Sequence, residues 1–185
     1  MGIPKQCMTC CAFLNGFQLC CPLDLSHGQL LPKHLVRHPA MNDLILQPTL
    51  FMGFLSLLMM LLMYITRIPA AKVLEAEGVD LQKLSHPAQL GGVFPSKVER
   101  VADNYNHLWE QPTLFYALVL VIWALGHTDP IHLYAAWAYC ALRFAHSVVQ
   151  ITINYVWVRF SLFFMSWIAL AVMLIREIIT AVSAA

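Results

Sequence analysis

The sequence has few charged side chains. Asp, Glu, Lys and Arg make up only 11% of its 185 residues, whereas hydrophobic residues make up 59%. A soluble globular domain is typically about a quarter charged, so this composition indicates an integral membrane protein. The net charge is +1 and no basic patch occurs along the chain, which gives no case for a nucleic-acid partner.

Cysteine is almost absent beyond residue 21, where Cys140 is the only example. A Cys-x-x-Cys pair such as Cys7 and Cys10 can bind zinc, but no histidine stands at the usual spacing, so we expect no metal site. Residues 1–40 also hold four prolines and show no sustained period. We interpret them as an N-terminal extension, disordered or upstream of a true start at Met41.

Residues 41–185 form the predicted membrane domain. Their long apolar runs predict four transmembrane helices at about 20 residues per span. A polar connector over 70–97 follows the first span, and the sequence Gly126–Pro130 predicts a tight turn. The fold class is therefore an all-α integral membrane four-helix bundle. The predicted spans are 44–66, 108–125, 131–153 and 157–175.

The distribution of Lys and Arg predicts the orientation of the bundle. The first loop carries five of these residues and the second loop carries none. By the positive-inside rule the first loop is expected to be cytoplasmic, with both termini on the opposite side.

Ionisable residues interrupt the apolar spans at a few positions. Arg143 and His146 are three residues apart in the third span and share a helix face, and Glu110 enters the second span from the same side. Ionisable groups are costly in lipid and usually functional. We predict that Glu110 and Arg143 pair, within one chain or between subunits; a purely structural ion pair is the alternative reading.

The polar segment before the second span carries further candidate residues. Read at helical spacing, Arg100, Asn104 and His107 share a stripe that also includes Asp103 and Gln111. The segment runs into the apolar span without a break, and Pro112 predicts a kink near the junction.

The same residues resemble the MAPEG family of membrane-associated proteins in eicosanoid and glutathione metabolism. Glu99-Arg100-Val101 followed by Glu110 and Phe115 resembles that family's second-helix motif, with a pattern similar to its bacterial branch. Arg143-x-x-His146 resembles the third-helix Arg-x-x-His/Tyr pattern, and Arg159 fits as well. The resemblance covers residues 41–185.

This resemblance implies a homotrimer in the lipid bilayer with a microsomal glutathione transferase-like or peroxidase-like activity. Glutathione would be the co-substrate, bound between subunits, and a lipophilic electrophile would arrive through the bilayer. The implied catalytic residues are Arg143 and His146. The implied glutathione-binding residues are Arg100, Asn104, His107, Glu110 and Arg143.

The chain departs from the glutathione-binding members at two positions. Asp103 stands where they carry Arg, and His107 stands where they carry Asn. A carboxylate at position 103 is expected to repel the carboxylates of glutathione. The alternative function is therefore a non-catalytic membrane module that binds a lipid or another membrane protein. A proton-linked transporter is a weak third reading, because paired repeats are missing.

Overall fold

A computed structural model describes residues 11–14, 17–20, 41–84 and 91–183. The chain divides into two units, Met1–Arg37 and His38–Ala185. In the first unit, β1 (Cys11–Leu14) pairs with β2 (Phe17–Cys20) as an antiparallel hairpin in which Leu14 faces Phe17. The sequence analysis predicted no strand here, although Asn-Gly between two short runs is a hairpin signal. Cys7 and Cys10, for which we expected no metal site, lie outside the described residues.

The second unit is a helical bundle. Its helices are α1 (Met41–Leu44), α2 (Leu46–Ala76), α3 (Ser96–His107), α4 (Gln111–Leu125), α5 (Pro130–Ile151) and α6 (Val156–Ser183), with a 3₁₀ turn at Leu81–Leu84. Apolar residues at helical spacing form one core between them. Phe115 of α4 stacks on Tyr139 of α5 with ring centroids 4.3 Å apart, and both side chains are fully buried. The predicted all-α bundle is confirmed.

Among the described residues, three helical stretches are long and apolar enough to cross a membrane. These are Met41–Ala76, Ser96–Leu125 and Val156–Ser183. Helix α5 is less apolar, but its polar residues Arg143, His146 and Gln150 are all buried inside the bundle. The outward faces of the other helices carry large exposed hydrophobic side chains such as Leu50, Ile65 and Val182, as expected for contact with lipid.

The predicted first span, 44–66, was too short. Helix α2 passes through Pro69 and continues to Ala76. A proline removes one backbone hydrogen bond, but the residues after it, such as Ala70, Ala71 and Leu74, are strong helix formers that continue the helix. The polar connector therefore begins as an extension of the first membrane helix.

The second span is interrupted where the sequence predicted only a kink. Helix α3 ends at His107, a turn covers Leu108–Glu110, and α4 begins at Gln111 with Pro112 in its first turn. Pro112 has no N–H to donate to the carbonyl of Leu108, and its ring clashes with a carbonyl four residues earlier. The hydroxyl of Thr113 donates instead to the Glu110 carbonyl at 2.6 Å. The position of the predicted kink is confirmed, and the predicted continuity of the helix was wrong.

The predicted turn at Gly126–Pro130 is present, and a second short turn joins α5 to α6. Gly126 ends α4 in a left-handed conformation at φ 72°, which favours glycine. Asp129 caps α5 by accepting from the His132 backbone N–H at 2.7 Å, and Pro130 occupies its first turn. Thr152 follows the end of α5, and Val156 begins α6. These turns bring the C-terminal part of α5 beside the beginning of α6.

Candidate functional site

The interruption between α3 and α4 leaves the carbonyl of His107, the last residue of α3, without a helical N–H donor, whereas the carbonyls of Asn104, Tyr105 and Asn106 accept from backbone N–H groups. Helix C-termini carry partial negative charge and attract cations. Arg143 of α5 occupies this position: its Nη2 donates to the His107 carbonyl at 2.9 Å, and its Nη1 donates to Gln111 Oε1 at 3.3 Å. Gln111 Oε1 also accepts from the Ser166 hydroxyl at 3.2 Å. Arg143 therefore connects three helices.

The guanidinium of Arg143 contacts neutral groups. The residue is 1% exposed, and its guanidinium lies over the ring of Phe163 at 5.6 Å from the centroid. Its Nε has no hydrogen-bond partner in the part of the chain that the structure describes. No carboxylate of the described chain forms an ion pair with it. A buried charge without a counter-ion is costly, so this position favours an incoming anion.

An open groove lies beside this arginine. It has a volume of about 430 Å³, which falls within the roughly 300–1,000 Å³ of small-molecule pockets. The imidazole rings of His107 and His146 lie 5.2 Å apart between centroids, and Phe163 lies 5.0 Å from His107. The groove is lined by His107, His146, Val156, Arg159, Phe160 and Phe163.

Two groove side chains present nitrogen atoms without partners among the described residues. They are Nδ1 of His146, a residue that is 2% exposed, and Nε of Arg159. Nη1 of Arg159 donates to Asn154 Oδ1 in the turn between α5 and α6, which fixes the guanidinium at the groove edge. Buried polar groups normally have a partner, so these atoms are suited to contact a ligand.

Glu110 does not pair with Arg143 within the chain. Its side chain is 68% exposed and its Oε2 contacts His107 Nδ1 at 2.8 Å. The turn before α4 directs this residue outward, whereas Gln111 points inward at Arg143. The predicted pair within one chain was wrong because the interrupted helix changes the face on which each residue lies. A pair with a neighbouring subunit stays a prediction.

The remaining predicted residues lie along α3. Arg100 Nη1 donates to the Thr152 carbonyl at 3.0 Å, at the end of α5. Asn104 is fully buried, and neither of its side-chain polar atoms has a hydrogen-bond partner among the described residues. Asp103 is exposed and lines a different pocket, together with Arg67. The structure therefore brings His107, Arg143 and His146 together and places Asp103 outside the groove of its own chain.

Sequence reasoning did not select Gln111, Phe163 or Arg159 as site residues. Gln111 and Ser166 were detectable as polar residues inside apolar spans, where each needs a hydrogen-bond partner. Arg159 was noted only as fitting the family pattern. Phe163 gave no signal, because an aromatic residue in a membrane helix is most often core or interface.

A second polar cluster lies at the other end of α5. Glu177 Oε2 contacts His127 Nδ1 at 3.0 Å, and its Oε1 lies 3.5 Å from His132 Nε2. Asp129 pairs with Arg176. Burial alone would raise the pKa of Asp129, but the His132 backbone N–H and the charges of His132 and Arg176 outweigh it and lower the pKa below its ordinary value. Here each carboxylate has a cationic or imidazole partner.

The family comparison agrees with this architecture. The MAPEG family profile matches residues 45–179, which include every helix of the bundle except α1 and the end of α6. The chain belongs to the MAPEG family. No curated protein and no solved structure matched it. MAPEG membership makes the chain an integral membrane helical bundle of a family concerned with glutathione and eicosanoid metabolism.

Proposed function

We propose that this MAPEG protein is a membrane-bound glutathione-dependent transferase or peroxidase that acts on lipophilic electrophiles. The observation that carries the proposal is Arg143, a buried guanidinium held by neutral acceptors beside an open groove. Glutathione brings two carboxylates and a thiol that becomes anionic when it reacts. An anion of this kind would supply the charge that the site lacks.

The groove residues have distinct roles in this proposal. Arg159 and Arg143 supply positive charge for a carboxylate or the thiolate of glutathione. A nearby cation lowers a thiol pKa from about 8.5 and increases the thiolate fraction. His146 donates a hydrogen bond to the sulfur through Nδ1, which has no partner among the described residues. Glu110, exposed beside His107, binds the ammonium group of glutathione.

The apolar wall of the groove supports a lipophilic second substrate. Val156 and Phe160 are 68% and 58% exposed and stand at the start of α6, so an electrophile can enter from the bilayer. In the transfer reaction the thiolate forms a C–S bond with the electrophilic carbon, and the leaving group departs with the electron pair. As the family leads us to expect, the proposal includes a homotrimer in which a neighbouring subunit contributes to the site. It also includes a cytoplasmic first loop, as the Lys and Arg distribution predicts.

The rival function is a non-catalytic membrane module, favoured by Asp103, a carboxylate where glutathione-binding relatives are expected to carry Arg. The test is a conjugation assay in lipid vesicles with glutathione and a chlorodinitrobenzene. We expect conjugation above the uncatalysed rate. Arg159→Leu should lower kcat/KM at least about tenfold, the scale of one charge-assisted hydrogen bond.

Arg176→Leu is the matched control. It also removes one arginine from α6, but Arg176 pairs with Asp129 at the other end of the bundle. Its kcat/KM should stay close to that of the parent. If the parent in vesicles shows no conjugation or hydroperoxide reduction above background, the transferase proposal fails and the non-catalytic reading replaces it.

A further inference from the structure

Gln111 is the side chain of α4 that faces Arg143 inside the bundle. It is the first residue of α4 and is only 5% exposed. Its Oε1 accepts from Arg143 Nη1 at 3.3 Å and lies 3.2 Å from the Ser166 hydroxyl. Its Nε2 is buried and has no hydrogen-bond partner among the described residues. The described chain therefore uses the oxygen of this amide and not its nitrogen.

Hydrogen bonding does not explain why an amide rather than a carboxylate stands at this position. Glutamate has nearly the same shape, and it would keep the oxygen that faces Arg143 while replacing only the unpartnered nitrogen. At 3.3 Å from Arg143 Nη1, that oxygen is within the distance of an ion pair. A carboxylate would therefore balance the buried charge of Arg143, whereas the amide leaves this charge unbalanced.

The bundle holds a buried carboxylate elsewhere, but none in contact with Arg143 among the described residues. Glu177 of α6 is 7% exposed and contacts two histidines. The carboxylate next to Gln111 in the sequence is that of Glu110, and the turn before α4 directs it outward to 68% exposure. The outward Glu110 and the inward Gln111 together keep a carboxylate of the chain out of contact with the Arg143 guanidinium.

We propose that Gln111 is a specificity-determining residue whose neutral amide leaves the charge of Arg143 available to a carboxylate of glutathione. A carboxylate is ionised at neutral pH, whereas a thiol with a pKa of about 8.5 is mostly neutral, so the carboxylate brings a full negative charge on binding. Gln111 does not line the groove, so it acts through Arg143. The inference rests on the proposed function, because it assigns a role within the same site.

The test compares glutathione with its dimethyl ester, in which both carboxylates are neutral. Calorimetric titration of the full chain in detergent measures the affinity for each ligand. We expect the parent to prefer glutathione at least about tenfold, the scale of one charge-assisted hydrogen bond. In Gln111→Glu this preference should fall to near unity, because the new carboxylate pairs with Arg143. The affinity of that variant for the ester should stay close to the parental value.

Two control variants separate the charge of the residue from its shape. Gln111→Met removes the Oε1 acceptor without adding a charge, so it should keep the preference for glutathione. Gln47→Glu adds the same charge at an exposed position near the start of α2, outside the groove, and should keep the preference as well. Thermal unfolding should show Gln111→Glu to be at least as stable as the parent, because Arg143 and the Ser166 hydroxyl can both donate to its carboxylate.

The possible failures of this test have different meanings. If Gln111→Glu binds glutathione with the parental preference over the ester, or if the parent binds both ligands equally, this inference is overturned and the proposed function stands. If Gln111→Met also loses the preference, the shape or hydrogen bonding of Gln111 sets it and the role of neutrality is overturned. A parent that binds neither ligand would overturn the proposed function and this inference together.

Discussion

The charged side chains at the start of helix α5 have partners of opposite charge or imidazole partners, whereas Arg143, further along the same helix, has only neutral ones. At its start, Asp129 pairs with Arg176 and Glu177 contacts both His127 and His132. Fourteen residues later, or roughly 21 Å at 1.5 Å per residue, Arg143 is buried among neutral acceptors. The carboxylates of the first cluster are paired with cationic or imidazole groups of the same chain, whereas Arg143 has no carboxylate partner among the described residues.

We infer that the paired charges stabilise the bundle and that the unpaired charge of Arg143 serves ligand binding. A buried charge stabilises a bundle only when a partner offsets the loss of hydration. The cluster at Glu177 has such partners and closes the end of the bundle. The cluster at Arg143 carries the cost of a buried cation and lies beside a groove, where an anionic ligand would offset that cost. Substitutions at Glu177 should therefore affect mainly stability, and substitutions at Arg143 should affect mainly activity.

The largest expected effect is the loss of activity in Arg143→Met. This change removes the buried positive charge that we propose for glutathione, and kcat/KM should fall at least about 100-fold, or about 2.7 kcal/mol. The free energy of unfolding should change by less than about 1 kcal/mol, because relief of the buried, unpaired charge offsets the hydrogen bonds that the His107 carbonyl and Gln111 Oε1 lose. Conjugation kinetics and thermal unfolding in the same detergent measure both. Retention of parental kcat/KM would contradict the functional role.

Glu177→Ala should give the opposite pattern. Glu177 is 7% exposed and accepts from His127 at one carboxylate oxygen. Its removal should lower the free energy of unfolding by about 1–3 kcal/mol, while kcat/KM changes by less than about twofold. Glu177→Gln is the conservative control and should recover part of the stability. A variant of normal stability but reduced activity would show that the two ends are coupled.

Acid titration tests the pairing of Asp129 at the start of α5. The pKa of Asp129 is lowered in the folded protein, so its contribution to stability is complete above the ordinary value of about 3.9 and is lost as pH falls through the folded-state pKa. Asp129→Asn keeps a capping side chain but removes the titration. Thermal unfolding between about pH 3 and 6 should therefore depend less on pH in the variant. Equal slopes would contradict the lowered pKa.

The smallest expected change in stability is that of Glu110→Gln. The pair of Glu110 with His107 is mostly exposed on the carboxylate side, and exposed pairs contribute about 0–1 kcal/mol. The melting temperature should hardly move, whereas glutathione affinity should fall because its ammonium loses a carboxylate. Calorimetry on the parent and variant measures the affinity, and parental binding by the variant would remove Glu110 from the site.

The fold was largely predictable from the sequence because apolar runs, turn residues and proline act locally. Gly126, Asp129 and Pro130 specify one turn, and Pro112 marks the interruption of the second span. The continuation of α2 past Pro69 was not predictable from the helix-breaking tendency of proline alone, because helix-forming residues around a single proline can continue the helix.

The pairing of charged side chains was harder to predict. Glu110 and Arg143 carry opposite charges and were predicted at similar depth in the membrane. The three-residue turn at Leu108–Glu110, however, rotates Glu110 outward and Gln111 inward. Helical spacing placed Asp103 with Asn104, whereas the structure exposes the first and buries the second. A shift of one position changes the face on which a side chain lies, and periodicity does not fix the face to that precision.

We propose that glutathione binds in the groove beside Arg143 and supplies the negative charge that no described carboxylate gives to this arginine. Calorimetric titration of the detergent-solubilised parent with glutathione at neutral pH measures this binding. We predict saturable binding with Kd below about 1 mM, or about −4 kcal/mol, that weakens at least about tenfold in Arg159→Leu and stays unchanged in Arg176→Leu. Absence of binding by the parent, or equal binding by Arg159→Leu and the parent, would contradict the claim.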